Sequence, residues 1–565
     1  MRKVWIAAAV VLTAAAVVAL VSFVTRPPRA APLAAPSWTP ASTVVSGAYH
    51  IHSRQSDGSG SLDEIAAAAA GAGLQFVIVT DHGDGTRAMP ASYRHGVLCI
   101  EGVEISTNGG HYVALGMRPS TYPLGGSPAA VVEDVARLGG FGIAAHPTSP
   151  KPELRWTGWT LPFDGLEWLN ADSQWRGQSD SHLLAALLHY PFGPAAALTA
   201  LFTRPSAAIA HWDELTRKRR VVALAGADAH ARIGLAADEP RESSWFVRLP
   251  DYESSFRAFS NRVVLPHPFS GEANTDAAAV LSAIRAGHVF TVIDGLARPA
   301  AFQFEAESGS HRAIEGDDLL LDGPVDLHVQ QNDPAADAVL FRDGAVLAHA
   351  AGEDVTFHAA DRPGVYRVEM HRAGADGSAI PWILSNPIYV RQSVRPGAAP
   401  ANTTTSPSNA SQSLMPASDL AGWSVEHDDS SRATLARASA DGRTIAMTFA
   451  LGGGPPGPQF VAAVRHVDGE MTQFDRLAFT AQASEPLRLF VQIRDDAGHR
   501  WRRSVFISPA GQSIEMSFST LDAVAAGGRP PNLAQVHSIL FVIDVTNARP
   551  GLRGTVRLSD VRLER

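Results

Sequence analysis

Ala48-Tyr49-His50-Ile51-His52-Ser53-Arg54-Gln55-Ser56-Asp57 is the stretch on which the reading of this chain turns. An apolar, strand-like run passes into histidines and then an aspartate. The same event recurs down the chain. Phe76–Thr80 runs into Asp81-His82, and Val97–Ile105 carries Glu104. His111 stands at the head of Tyr112–Leu115, Gly142–Ala145 ends at His146, and Val221–Ala225 leads to Asp228 and His230. A further apolar run, Gly165–Leu169, carries Glu167 and ends at Asn170. Helical signals alternate with some of these runs. Ser61-Leu62-Asp63-Glu64 is a capping box with Gly73 as the stop, and Ser127-Pro128 opens a helix that Gly139-Gly140 ends. Strands alternating with helices predict a parallel sheet or barrel, in which functional groups gather at the carboxyl ends of strands. Imidazoles and carboxylates converging from several strand ends are the donor set of a multinuclear metal site.

The rest of the chain bounds this reading. At 565 residues it is too long for one core. A formal net charge of -9 offers no global attraction to nucleic acid, and no nucleic-acid partner is expected. Cys99 is the only cysteine, which excludes an intramolecular disulfide and a thiolate metal site. Arg2 and Lys3 precede the uncharged run Trp5–Val24, about 20 residues, which predicts a transmembrane signal anchor over 1–25 with the bulk of the protein on the extracytoplasmic side. A cleaved signal peptide is the alternative. A Pro- and Ala-rich linker follows over 26–46, then the α/β catalytic region over 47–300. Within it, 180–220 reads as a helical insertion, either roofing the site or packing on the barrel's outside. Period-two alternation in Tyr366–His371 and the turn Asp343-Gly344 predict a β-sandwich over 301–392. A Pro/Ser/Thr-rich linker over 393–418 then leads to a second all-β unit over 419–565.

The motif series YHIHS (Tyr49–Ser53), SDG (Ser56–Gly58), TDHG (Thr80–Gly83), GVEIS (Gly102–Ser106), GHYVALG (Gly110–Gly116), AAHP (Ala144–Pro147) and GADAH (Gly226–His230) resembles the PHP family, the polymerase and histidinol phosphatase metallohydrolases. That resemblance implies a distorted seven-stranded β/α barrel. It also implies a trinuclear site for two to three divalent ions (Mn, Zn or Fe) and hydrolysis by a metal-bridging hydroxide. Carried over by motif, His50, His52, Glu104 and Asp228 serve a first metal, and Glu104, His111 and His146 a second. Asp57, His82 and His230 serve a third, with Asp57 where other members carry His. Glu104, Asp228 and His230 are the residues expected to carry catalysis. Gly165–Asn170 and Ser385–Tyr389 resemble the carbaryl hydrolase-type branch. Gly554–Val561 resembles a galactose-binding-like jelly roll, which implies glycan or cell-surface contact.

The functional expectation is a phosphoesterase acting on a small-molecule ester, with carboxylic or carbamate ester hydrolysis and a glycan-binding surface protein as alternatives. Arg54, Arg176 and Arg232 follow motif residues closely and are candidate substrate contacts, although each is also an ordinary surface arginine. Glu104 is preferred to Glu101 as the ligand because it sits where the strand ends. Asp81 is read as orienting a ligand. Glu167 and Asn170 are supporting groups, substrate contacts or strand-end caps. His267, His288, His328, His358 and His371 are assigned structural or surface roles.

Overall fold

The computed structural model describes residues 2–40, 42–88, 90–234, 246–359, 362–372, 379–392, 410–415, 420–439, 441, 443–455, 457–467, 471–524 and 528–565. The chain forms two compact units, one of residues 1–84, 88–118 and 132–396, the other of 85–87, 119–131 and 397–565.

The first unit is built on β1 (Thr43–Ile51), whose last seven residues are all buried. On one side β1 pairs in parallel with β2 (Phe76–Val79), and β2 with β3 (Val97–Glu101). The chain then continues almost straight into β4 (Val103–Thr107), broken only at Gly102. A side chain at Gly102 would collide with Leu115 and with the Ala114 carbonyl, so the break needs glycine. From β4 the sheet runs antiparallel through β5 (Gly110–Leu115) to β6 (Phe141–Ala144). It turns parallel again through β7 (Gly165–Asn170) and β8 (Val222–Ala229), and β8 closes back onto β1. β2, β6, β7 and β8 are buried along their whole length, as strands covered on both faces must be. The capping box of α2 (Leu62–Ala72) is formed, with Ser61 and Glu64 bonding reciprocally and Gly73 in the left-handed region at φ 81°.

Between β7 and β8 run α3 (Ala171–Arg176), α4 (Asp180–His189), α5 (Pro194–Thr199) and α6 (Ser206–Thr216). After β8 come α7 (Tyr252–Phe256), β9 (Ser260–Leu265) and β10 (Val289–Val292). β9 lies antiparallel to the first half of β1, so β1 begins at Thr43 rather than near Ala48. β10 pairs with β9 and with Ile383–Ser385. Buried Asn386 fastens this seam, accepting from the Ala223 N–H (2.8 Å) and donating to the carbonyls of Ala223 (2.9 Å) and Val289 (2.7 Å). The residues between form β-sheets around Phe304, Leu327, Val368 and Trp382. Phe302–Ser308 and Val325–Gln331 alternate buried and half-buried residues, and Asp343-Gly344 makes the tight turn with φ 54° and 84°. Of the Pro-rich stretch at 26–46, Ala31–Pro32 pairs with Ala297–Arg298.

The N-terminus departs from the expectation. Residues Arg2–Thr25 form a helix, α1, yet among the described residues no helix is long and apolar enough to cross a membrane. The transmembrane helix, the membrane as a partner, and the membrane-anchored, extracytoplasmic location are therefore not supported. The end of α1 is satisfied by protein instead. Ser22 is buried, Thr25 Oγ1 lies 3.1 Å from His189 Nε2, and Phe23 meets Phe192 edge-on at 5.7 Å. A count of apolar residues does not distinguish a spanning helix from one whose end docks on its own chain.

In the second unit, two six-stranded antiparallel sheets enclose a core that includes Phe479, Val491, Phe541 and Leu558. Residues 393–409 and 416–419 of the stretch read as a linker lie outside the described residues. Ser411–Ser413 pairs with the last strand, and Leu414 joins the core.

Candidate metal centre

All nine residues singled out at strand ends meet in one place. Glu104 is the hub, almost fully buried at 1% exposure. Its Oε1 lies 2.8 Å from His111 Nδ1 and 3.0 Å from His146 Nε2. Its Oε2 lies 3.2 Å from both His50 Nε2 and His52 Nε2, and 3.3 Å from His82 Nδ1. Asp228 Oδ1 adds a second acidic face, 3.5 Å from His50 Nε2 and 3.3 Å from His52 Nε2. Asp57 Oδ2 stands 3.5 Å from His82 Nε2 and 3.4 Å from His230 Nε2. Four groupings have donor atoms close enough to share a cation: His52/Asp57/His82/His230, His50/His146/Asp228, His50/His52/Glu104 and His82/Glu104/His111. Glu101 belongs to none of them.

Three of these residues hold backbone conformations that L-amino acids disfavour. His50 has φ 63°, His146 φ 31° and Asp228 φ 45°. Such conformations cost about 1–3 kcal/mol each and persist where surrounding bonds over-determine them. The β8 register shifts against β1 between Gly226 and Ala229, at the point where Asp228 is delivered.

The far side of three imidazoles shows what the near side is for. His50 Nδ1 lies 2.5 Å from Glu167 Oε1, His146 Nδ1 is 3.1 Å from the Leu154 carbonyl, and His230 Nδ1 is 3.0 Å from the Asp228 carbonyl. An oxygen acceptor at Nδ1 places the proton there and leaves Nε2 with its lone pair facing the cluster. The inward atoms His50 Nε2, His52 Nε2, His82 Nδ1 and Asp57 Oδ1 are buried without a hydrogen-bond partner. Buried polar atoms left this way are expensive unless something else satisfies them. A divalent cation fits this set of nitrogens and oxygens, with no sulfur present.

The electrostatics agree. Burial opposes every charge here, but opposite charges outweigh it. Glu167, Asp228 and Glu104 hold His50 well above its ordinary range despite burial, while His52 is pushed up to about 10 and His146 to about 9. Against the same burial, His50, His111 and His146 hold the Glu104 carboxyl well below its usual range. His230 and His82 do likewise for Asp57. Protons and a cation compete for the same imidazole nitrogens.

Supporting groups come from several elements. Glu167 Oε2 accepts from the His146 N–H (2.6 Å) and from Asn170 Nδ2 (2.8 Å). Asn170 also reaches Asp228 Oδ2 (3.2 Å) and caps α3 through the Ser173 N–H (2.8 Å). The Asp81 carboxylate holds the loop carrying Asp57 by accepting from the Ser53 N–H and hydroxyl and from the Ser56 hydroxyl, while its carbonyl accepts from the Glu104 N–H (3.2 Å). Tyr252, on α7, has no signal in the sequence. Its hydroxyl donates to the His52 carbonyl (2.7 Å) and accepts from the Gly60 N–H (3.1 Å).

Of the three arginines, Arg54 points away, binding the Ser59 carbonyl and Glu64. Arg176, paired with Asp172, and Arg232 both line a cavity beside Asp228 and His230.

No family model matches the chain, and no curated protein matches it. Among solved structures, the chain is similar to the family 11 carbohydrate-binding module of a cellulosomal cellulase of Clostridium thermocellum, at 14% identity and TM-score 0.23 over 27% of this chain and 94% of that one. It is also similar to an agarase, at 14% identity and TM-score 0.20 over 27% of this chain and 24% of that one. Likenesses this low assign nothing to the chain. What the geometry shows is a set of buried His, Asp and Glu clusters that make a candidate site for one or more divalent ions, consistent with a metal-dependent hydrolase.

Proposed function

We propose that this chain is a hydrolase of phosphoric esters in the manner of the PHP metallohydrolases. The observation that carries the reading is the single carboxylate of Glu104, which presents one oxygen to His111 and His146 and the other to His50, His52 and His82. A carboxylate flanked this way is suited to serve two cations at once. In this reading His50, His52, Glu104 and Asp228 hold one ion, Glu104, His111 and His146 a second, and Asp57, His82 and His230 a third. Divalent ions in such a site supply Lewis acidity toward an ester oxygen and lower the pKa of water to roughly 7. The chain's own residues do the rest. Glu167 and the Leu154 carbonyl fix imidazole orientation, Asn170 steadies the Glu167 and Asp228 carboxylates, and Asp228 and His230 face the cavity through which an ester arrives. Arg176 and Arg232 line the same cavity and are the candidate contacts for its anionic oxygens.

The test is to strip the full chain with chelator, reload it with Mn, Zn or Fe, and assay phosphomonoesters, phosphodiesters, carboxylic esters and carbamates. Phosphoester turnover that disappears with the metal and returns with it is the expected result. Turnover of carboxylic esters or carbamates alone would move the substrate class. No turnover of any ester by metal-loaded protein would overturn the hydrolase reading.

Gly226 offers a sharper check on the support of the site. A methyl group there would lie 2.3 Å from Glu167 Oε1, and Glu167 cannot yield without releasing His50, His146 and Asn170. Gly226→Ala is expected to weaken metal affinity about 10–100-fold, the size of effect seen when a group behind a metal ligand is lost. Competition with a chelating dye measures this. An unchanged affinity would show that Glu167 does not support the site.

A further inference from the structure

The cavity beside Asp228 and His230 holds about 570 Å³, inside the range of small-molecule sites, roughly 300–1,000 Å³. Its polar end is the centre itself, through Asp57, Asp228 and His230. The remaining wall is largely apolar: Leu183 and Leu187 from α4, Leu198 from the end of α5, then Leu201, Phe202 and Phe259. The wall is graded. Leu201 and Phe259 are buried, whereas Leu184 and Leu187 are 56% and 53% exposed.

α4 makes this arrangement unusual. Leu187 lies one turn from both Leu183 and Leu184, and all three line the cavity. An amphipathic helix normally buries such a stripe against protein. Here no residue of α4 is buried, and the stripe lines the cavity. The apolar surface is continuous with the reacting end, so a group that covered it would be attached to whatever reacts at the centre.

Resting on the hydrolase reading above, we infer that the substrate is an amphiphilic ester: a phosphate-type head at the centre, joined to an apolar chain that lies along α4. The chain runs outward past the exposed leucines, so longer chains protrude rather than clash. Water leaves the leucine face when the chain enters, and binding tightens with each methylene buried.

The probe is a series of n-alkylphosphonates from ethyl to octyl, titrated calorimetrically into the zinc-loaded full chain. The matching n-alkyl phosphates are assayed for kcat/KM in parallel. Full burial of a methylene is worth about fourfold in affinity, and a half-open groove about twofold, so Kd should tighten about fiftyfold across the series. The double variant Leu183→Asn, Leu187→Asn changes a helix with no buried residue, and should reduce that gain to within about tenfold. The ratio of octyl to ethyl kcat/KM should follow the same pattern. Turnover with flat affinity and flat kcat/KM across the series would overturn the amphiphile inference and leave the hydrolase reading standing. A chain-length gradient in binding without turnover of any ester would do the opposite. An undiminished gradient in the double variant would place the chain elsewhere and overturn the role of α4.

Discussion

Glu104→Gln is expected to lower turnover of the best ester at least about a hundredfold, the order lost when one electrostatic element of a transition state is removed. The substitution keeps size and shape, so the fold should survive. What it cannot keep is two equivalent oxygens. Oε1 faces His111 and His146, and Oε2 faces His50, His52 and His82. A glutamine must turn its NH2 toward one of these sets. Whichever it chooses, a carboxylate oxygen that can ligate a cation is replaced by an NH2 that cannot, and one negative charge is lost. Glu101→Gln is the control, since Glu101 ends β3, is only partly buried and belongs to none of the clusters. Its effect should be several times smaller. The checks are kcat/KM, the melting curve and metal content of both variants. Activity abolished by Glu101→Gln and spared by Glu104→Gln would show that the wrong carboxylate has been assigned.

Much of this was legible because burial leaves a periodic trace while ligands interrupt it. The runs at Phe76, Val97, Tyr112, Gly142, Gly165 and Val221 are strands; His82, His146 and His230 lie just past theirs, whereas His50, Glu104, His111, Glu167 and Asp228 lie within theirs. The Ser61–Glu64 box was legible for a similar reason, as a cap is made within four residues. What the sequence concealed depends on partners far along the chain. Glu167 meets His50 across 117 residues, and Tyr252 meets His52 across 200. No local pattern encodes either pairing. Nor does residue type announce left-handed backbone at His50, His146 and Asp228, since side chains there are strained. Arg54 shows the reverse error. Its nearness to His52 suggested a substrate contact, but Glu64 draws it to the start of α2. The apolar run at the N-terminus misled in the same way, because hydropathy reports what a helix could be buried in and not what it touches.

The second large effect concerns the metals themselves. Elemental analysis of the purified full chain should find two to three transition-metal ions per molecule, from the donor count that such ions require. His50→Ala combined with His52→Ala should remove at least one of them. The reason lies in how the clusters overlap: His50 belongs to two groupings and His52 to two, and together they enter every grouping except His82/Glu104/His111. The loss also spreads outward. Without His50, Glu167 keeps a buried carboxylate with only the His146 N–H and Asn170 to satisfy it, so the group that positions His146 and Asn170 is itself loosened. The double variant should therefore lose more metal than deletion of two peripheral ligands, such as Asp57→Ala with His230→Ala, which enter only one grouping. His328→Ala is the neutral control, since that imidazole is bonded to Thr356 on an outer sheet. Equal metal content in His50→Ala, His52→Ala and the unaltered chain would sink the assignment. Metal lost from the peripheral pair alone would instead relocate the centre to the Asp57 side.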